Sequence, residues 1–271
     1  MNSWKKKLLS QGGKEILLKA VSMAMHVYTM SCFKLPNKLS KEVTSILANY
    51  WWREAEGENK MHWCSWSKLT KKKKWGGLEF KALQKFNKAL LAKQVWRLIS
   101  SPNLLVSKVL RAKYFYRESI FKCKIPKNAS WIWQSIMGVR DFVEKGTRKR
   151  MGNGKATKIW EDNWILENSK VKVTFGRPQH STLMMVDELI GGFRWKKPIV
   201  LRTFNQMDAK RILEIPISIS ERDNCNYWIH SENGIHIVKS SYKELCKWSI
   251  DQWERRGAKG ETSLLNSCWK T

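Results

Sequence analysis

The sequence predicts an α+β protein, mainly helical in its N-terminal part, with small antiparallel β hairpins in its C-terminal half. Three observations predict this. Apolar residues step at helical spacing through roughly the first 145 residues, and two Asn-Gly steps punctuate the remainder. A hydrophobic content of 42% over 271 residues is enough to build a core.

Along the chain, Ile16, Ala20, Met23 and Val27 mark a first helical face, and Leu39, Val43, Ile46 and Tyr50 a second after Pro36, with Ser40 as a candidate N-cap. The clearest helix spans EFKALQKFNKALLAKQVWRLIS, Glu79 to Ser100. Its stripe runs through Phe80, Leu83, Leu90, Leu91, Val95 and Leu98, is broken once by Asn87, and leaves Lys81, Lys85 and Lys88 on another face. Further helices are expected from Leu104 to Phe115 and from Ser130 onward, with Ile132, Ile136, Val139 and Val143 on one side. Beyond residue 145 the texture changes. Asn153-Gly154 and Asn233-Gly234 each suit the tight turn of a hairpin, the second flanked by alternating Tyr227, Ile229, Ile235 and Ile237. Ser240 or Ser241 would cap a last helix, and the stretch from Glu167 to Gln206 reads as loop with one short helix near Met184 to Ile190. The expected division is 1–145 helical, 146–215 hairpin and linker, and 216–271 a third segment.

Charge narrows the function. Lys plus Arg total 51 against 23 acids, a net charge of +28, where roughly 2 to 8 suffices for the solubility of a small domain. The excess is +14 in residues 1–100, +12 in 101–200 and only +2 in 201–271. A positive field concentrated in this way favours polyanions, with nucleic acid as the expected partner. No apolar run approaches the roughly 18 to 20 residues of a membrane span, and the N-terminus lacks a signal-peptide core, so an intracellular chain with no membrane partner is expected. The cysteines at 32, 64, 123, 225, 246 and 268 include no C-x-x-C pair, which argues against a complete zinc site and for free thiols.

Catalytic patterns fail position by position. A phosphate loop, G-x-x-x-x-G-K-[ST], would need Gly at 149 and a hydroxyl at 156, where the chain has Lys149 and Ala156. Glu161 and Asp162 are adjacent, so on a strand they point to opposite faces and form no paired-carboxylate site. The sequence has neither G-x-S-x-G nor H-E-x-x-H, and of the histidines only His230 and His236 lie near each other, flanking the second hairpin. No cofactor and no small-molecule substrate is expected. Tryptophan, with sixteen copies, interleaves with lysine: Trp51, Trp52, Trp63, Trp66 and Trp75 surround Lys71–Lys74, and Trp160 and Trp164 follow Arg148–Arg150. Aromatic faces beside cations stack bases while the cations hold phosphates; the competing role is core, which is expected for most of these rings.

The ordered blocks LSQGGKEILLKAV, YTMSCFKLP, YWWR, HWCSW, WGGLEF, FNKALLAKQVWRL, MGNG and IWEDNW closely resemble the segment downstream of the polymerase core in plant LINE-type (non-long-terminal-repeat) retrotransposon polyproteins. The series covers residues 4 to 166, and DNCNYWIHSENGIHIVKSSYKEL is similar to the start of the zinc-binding module that follows there. The resemblance implies a helical, thumb-like part, a small β-containing part and a truncated module start, lying after the Y-x-D-D polymerase motif and before ribonuclease H; the chain contains no Asp-Asp. It departs from the family at Lys149, where tryptophan is usual, and at Thr70-Lys71-Lys72, in place of Cys-Pro-Lys.

The implied role is non-catalytic binding of template–primer phosphates, RNA or DNA, without sequence specificity. Lys71, Lys72, Lys73, Lys74, Lys81, Lys85, Lys88, Lys93, Arg97, Arg148, Lys149 and Arg150 are the candidate contacts. Two alternatives stand beside it: an inert product of a decayed retrotransposon frame, and an enzyme with a hidden site at Glu161, Asp162 or the histidines.

Overall fold

The computed structural model describes residues 9–22, 24–52, 61–116, 118–162, 164–165, 173–174, 176–178, 181–217 and 223–257, with side chains described through residue 247. It is an α+β fold, mostly helical, with short antiparallel strand pairs. The chain forms two compact units. The first gathers Met1–Val95, Lys124–Val139 and Ile237–Thr271; the second gathers Trp96–Cys123 and Arg140–His236.

In the first unit, α1 (Gln11–Leu17) starts at Ser10, whose hydroxyl accepts from the Gly13 N–H, and passes into a π turn, Leu18–Ser22. After α2 (Val27–Cys32) the chain turns through Pro36 into α3 (Asn37–Trp52). Ser40 lies inside α3, buried, rather than at its cap, because the helix begins directly after Pro36, whose carbonyl accepts from the Ser40 N–H. The core joins Leu18, Met30, Leu47, Trp51, Leu69, Phe80, Leu83 and Leu90. Its aromatic centre is Phe80, stacked on Trp66 at 5.0 Å and meeting the edge of Trp51 at 5.3 Å.

The main helix, α5, runs Leu83–Ser100, four residues shorter at its start than the pattern predicts. Glu79 takes a left-handed φ of 60°, and the Leu78, Glu79 and Phe80 N–H groups bond back to Leu69 and Lys71, so this stretch cannot also be helix. The Tyr242 hydroxyl accepts from the Ala82 N–H just before α5, satisfying a donor the helix leaves open. The buried arc is broad, taking in Leu83, Ala89–Ala92, Val95, Trp96 and Leu98. Asn87, 2% exposed, interrupts it for a reason the stripe does not show. Its amide donates to the Met30 and Phe33 carbonyls at 2.7 and 2.8 Å and accepts from the Leu35 N–H at 2.9 Å, closing the end of α2. The short α4 (Trp66–Leu69) completes the unit with α7 (Trp131–Met137), capped by Ser130, and α11 (Val238–Gly257). Ser240 and Ser241 fall within α11 and are not its caps. The single helix expected from Ser130 is instead two: α7 ends at Gly138 and α8 (Arg140–Gly146) begins the next part of the second unit.

The second unit also contains α6 (Leu105–Tyr114), close to its expected span. Neither predicted hairpin forms. β1 (Thr147–Arg150) pairs antiparallel with β4 (Cys225–Trp228), Thr147 opposite Trp228 and Arg150 opposite Cys225. Each Asn-Gly step turns the chain, with Gly154 at φ 77° and Gly234 at φ 70°, but β1 and β4 take each other as partners, because Trp228 must reach a pocket beside Gly146. A local hairpin does occur where none is expected, β2 (Ile190–Gly191) with β3 (Arg194–Trp195), turned by Gly192 and Phe193, both at positive φ. The short helix near 184–190 is a 3₁₀ turn, Val186–Leu189. Two helices in and beyond the expected loop, α9 (Lys197–Thr203) and α10 (Gln206–Glu214), pack Val200, Phe204, Ala209 and Ile212 with Ile159, Trp164 and Ile165 in this unit's core. Pro198 sits in the first turn of α9, where its missing N–H costs nothing.

Candidate nucleic-acid interface

Lys71–Lys74 occupy a closed loop of the first unit. Its stem joins Leu69 to Leu78 and Phe80, and Lys71 to Glu79, through backbone bonds of 2.9 to 3.3 Å, with Leu69 and Phe80 buried in the core. Lys73–Trp75 form a 3₁₀ turn that ends at Gly76, φ 71°. Gly77 is fixed by crowding, since a methyl there would overlap the Lys71 backbone. All four lysines are exposed. Glu15 takes Lys73 at 3.3 Å and Lys19 at 2.7 Å, and the Lys19 bond holds the Glu15 carboxyl below its ordinary value. Among the described residues no carboxylate pairs with Lys71, Lys72 or Lys74; the last two lie over the Trp75 ring, at 5.7 and 4.7 Å.

The five cations assigned to the main helix have separate surroundings. Lys81 precedes α5, its ammonium 4.7 Å over the Tyr242 ring and 5.5 Å over Phe86. Lys88 is exposed on α5; Lys85 and Lys93 are half-buried and Arg97 exposed, each with contacts of its own.

Arg148, Lys149 and Arg150 lie on β1 in the second unit. Arg148 is 5% exposed, and its guanidinium donates to the Lys145 and Thr147 carbonyls at 2.7 and 2.9 Å; burial pulls it below its ordinary value. Lys149 binds Asp162 at 2.7 Å and the Ala156 carbonyl at 2.8 Å. Only Arg150 of the three is exposed.

The glycine turn that follows is an architectural joint. The Gly152 and Gly154 N–H groups both donate to Asn224 Oδ1, at 2.7 and 3.2 Å, and the Asn224 amide donates to the buried Thr157 hydroxyl. The I-W-x-D-x-W residues serve the same end. Ile159 and Trp164 are fully buried, Trp164 and Trp160 donate to the Ile159 and Leu183 carbonyls, and Asp162 accepts from Lys149 and the Lys158 N–H. Glu161 binds other cations, Lys122 at 2.7 Å and Lys158 at 3.3 Å, and the Lys122 bond lowers its pKa. The two acids are thus each neutralised by lysines. His230 and His236 both lie on the Trp228 ring, at 5.0 and 4.6 Å. Among the described residues no three His, Cys, Asp or Glu side chains gather to hold a metal, and no helix is long and apolar enough to cross a membrane. His180 and Cys268 lie outside the described residues.

One acid of the second unit yields a pH prediction. The Glu188 carboxylate accepts from the Met185 and Met184 N–H groups at 2.8 and 2.9 Å, and those bonds hold it below its ordinary value of 4.5. A carboxyl depressed in the folded state stabilises above its unfolded pKa and loses that contribution as pH falls through the folded one. Glu188→Gln should therefore cost stability at pH 7 and progressively less below about 4.5. Thermal midpoints for both proteins from pH 7 to pH 3 check this; parallel curves would refute it.

Sequence reasoning overlooked Glu15 as the partner of Lys73, since pairing between residues so far apart leaves no local signal. Spacing places Trp75 beside the lysine run but gives no sign that the ring is exposed. Of the neighbouring tryptophans, Trp51 is buried and Trp52 and Trp66 half-buried, which spacing alone cannot distinguish.

No protein-family model matches the chain. It is 31% identical over its whole length to "Putative ribonuclease H protein At1g65750" of Arabidopsis thaliana, of which it spans 44%. It is 41% identical over 148 residues, 54% of its length, to "Uncharacterized mitochondrial protein AtMg00310" of the same plant. Because that match takes in 96% of the mitochondrial protein, the chain belongs to the AtMg00310 family.

Proposed function

We propose that the chain is a non-catalytic, nucleic-acid-binding segment of a LINE-type reverse transcriptase polyprotein, contacting template–primer phosphates without reading sequence. In this reading residues 1–145 are the thumb-like part, 146–215 the β-containing connection, and 216–271 the start of the zinc-binding module. The observation that carries the proposal is the closed Lys71–Gly77 loop, which holds three cations outward with no carboxylate to neutralise them among the described residues. Mutual repulsion makes such a loop unfavourable by itself, and a polyanion relieves it. The net charge of +28 and the relation to a protein named for ribonuclease H agree with it. In the first unit the exposed Lys88 adds to the candidate contacts; in the second unit, taken by itself, Arg97 and Arg150 are exposed, and Arg148 and Lys149 hold β1 in place.

Phosphate binding of this kind releases counterions, so affinity falls with salt at a log-log slope of about −0.9 per phosphate on duplex DNA. Replacing Lys71, Lys72 and Lys74 together by glutamine should weaken binding to every sequence and flatten the slope by up to about 2.7 units. The measurement is duplex affinity from 50 to 300 mM salt, with circular dichroism to confirm the fold. An unchanged slope would remove the loop from the interface, and binding that is insensitive to salt would end the proposal.

A further inference from the structure

We propose that the Lys71–Gly77 loop is a docking site for a single nucleic-acid strand, in which the Trp75 indole stacks one unpaired base and Lys71, Lys72 and Lys74 take the flanking phosphates. This rests on the polyanion-binding function above and adds a ligand class to it.

Isolated exposed aromatics are ordinary on protein surfaces. Among the described residues no cation lies over the rings of Trp63, 81% exposed, or Trp131, 64% exposed. Trp75 differs in three respects. It is 52% exposed at the tip of a loop whose stem is hydrogen-bonded and anchored by buried Leu69 and Phe80, so the ring is presented with little freedom to lose on binding. Two ammonium groups lie over it, so base and phosphate contacts fall within one nucleotide's reach. The 3₁₀ turn sets Lys73 and Lys74 directly before the ring, with Lys72 at its N-cap, and beyond it Gly76 has open space where a side chain would stand. An indole face suits any base, and lysines on flexible stems leave the ring for a phosphate as the base takes their place. A paired base in a duplex offers no free face, so the loop should favour single strands.

The test uses the full chain with a single-stranded oligothymidylate and a duplex of equal length at one salt concentration. Base–aromatic stacking predicts that Trp75→Ala weakens single-strand binding by about 5- to 150-fold. Duplex affinity should stay within about twofold, and the single-strand salt slope should not change, because the ring carries no charge. Trp75→Phe should restore most of the loss. An equal effect on both probes, or none on the single strand, overturns the stacking site while leaving the phosphate-binding function standing. Failure of the unaltered chain to bind either probe overturns both.

Discussion

Replacing Asn87 by leucine should destabilise the first unit by about 3 kcal/mol or more, although it completes the apolar stripe of α5 and improves its helix propensity. The side chain is 2% exposed and serves three backbone groups at once, donating to the Met30 and Phe33 carbonyls and accepting from the Leu35 N–H. Leucine fills a similar volume but leaves those groups without a partner, each orphan costing roughly 1 to 3 kcal/mol to the extent that water is kept out. Asn87→Asp separates the contributions: it keeps an acceptor for Leu35 and turns a carboxylate oxygen toward two carbonyls, so it should be at least as damaging near neutral pH. Urea denaturation followed by circular dichroism is the measurement. A leucine variant as stable as the parent would show that the end of α2 does not depend on this amide.

That residue also shows where sequence legibility ends. The stripe through Leu83, Leu90, Leu91 and Val95 is local and gives the helix, but the same pattern marks Asn87 as a defect, because its partners sit more than fifty positions earlier. Ser130 is legible as a cap, while Gly138 does not reveal that the pattern through Val139 and Val143 passes into a different unit. The strand pair is the plainest case. Asn-Gly steps report local turns, and both turns exist, yet pairing is decided by burial of Trp228, fully enclosed and opposite Thr147. For α10 a local signal exists: Asn205 accepts from the Asp208 N–H at 2.7 Å, an N-cap three residues ahead of an acid. In the candidate interface the charges themselves were legible, since lysines can be counted. Their availability was not, because Arg148 and Lys149 look like surface cations in a string and are committed to carbonyls and Asp162 in the fold.

The second large effect is expected at Gly146, where α8 meets β1. A methyl group added there would overlap two carbons of the Trp228 ring's six-membered part. That ring has no room to retreat: it is 0% exposed and meets Phe142, Trp96 and His236 at centroid distances of 5.7, 6.2 and 4.6 Å. The strand carrying it is held as well, by the Trp228 N–H bond to Gly234 and the Ile229 N–H bond to Gly146 itself. Overpacking of a closed core costs typically about 1 to 3 kcal/mol, and rigid surroundings place Gly146→Ala toward the upper end. Trp228→Phe alone removes the very atoms the methyl would strike and leaves a void, destabilising through lost contacts. Combined, the two changes fill one another's defect, so the double variant should be more stable than the sum of the single losses predicts, with a coupling of about 1 kcal/mol or more. Thermal unfolding of the four proteins in the cycle supplies the measurement. Simple additivity would mean that the strand shifts to relieve the clash, and that the β1–β4 register is not fixed by the tryptophan.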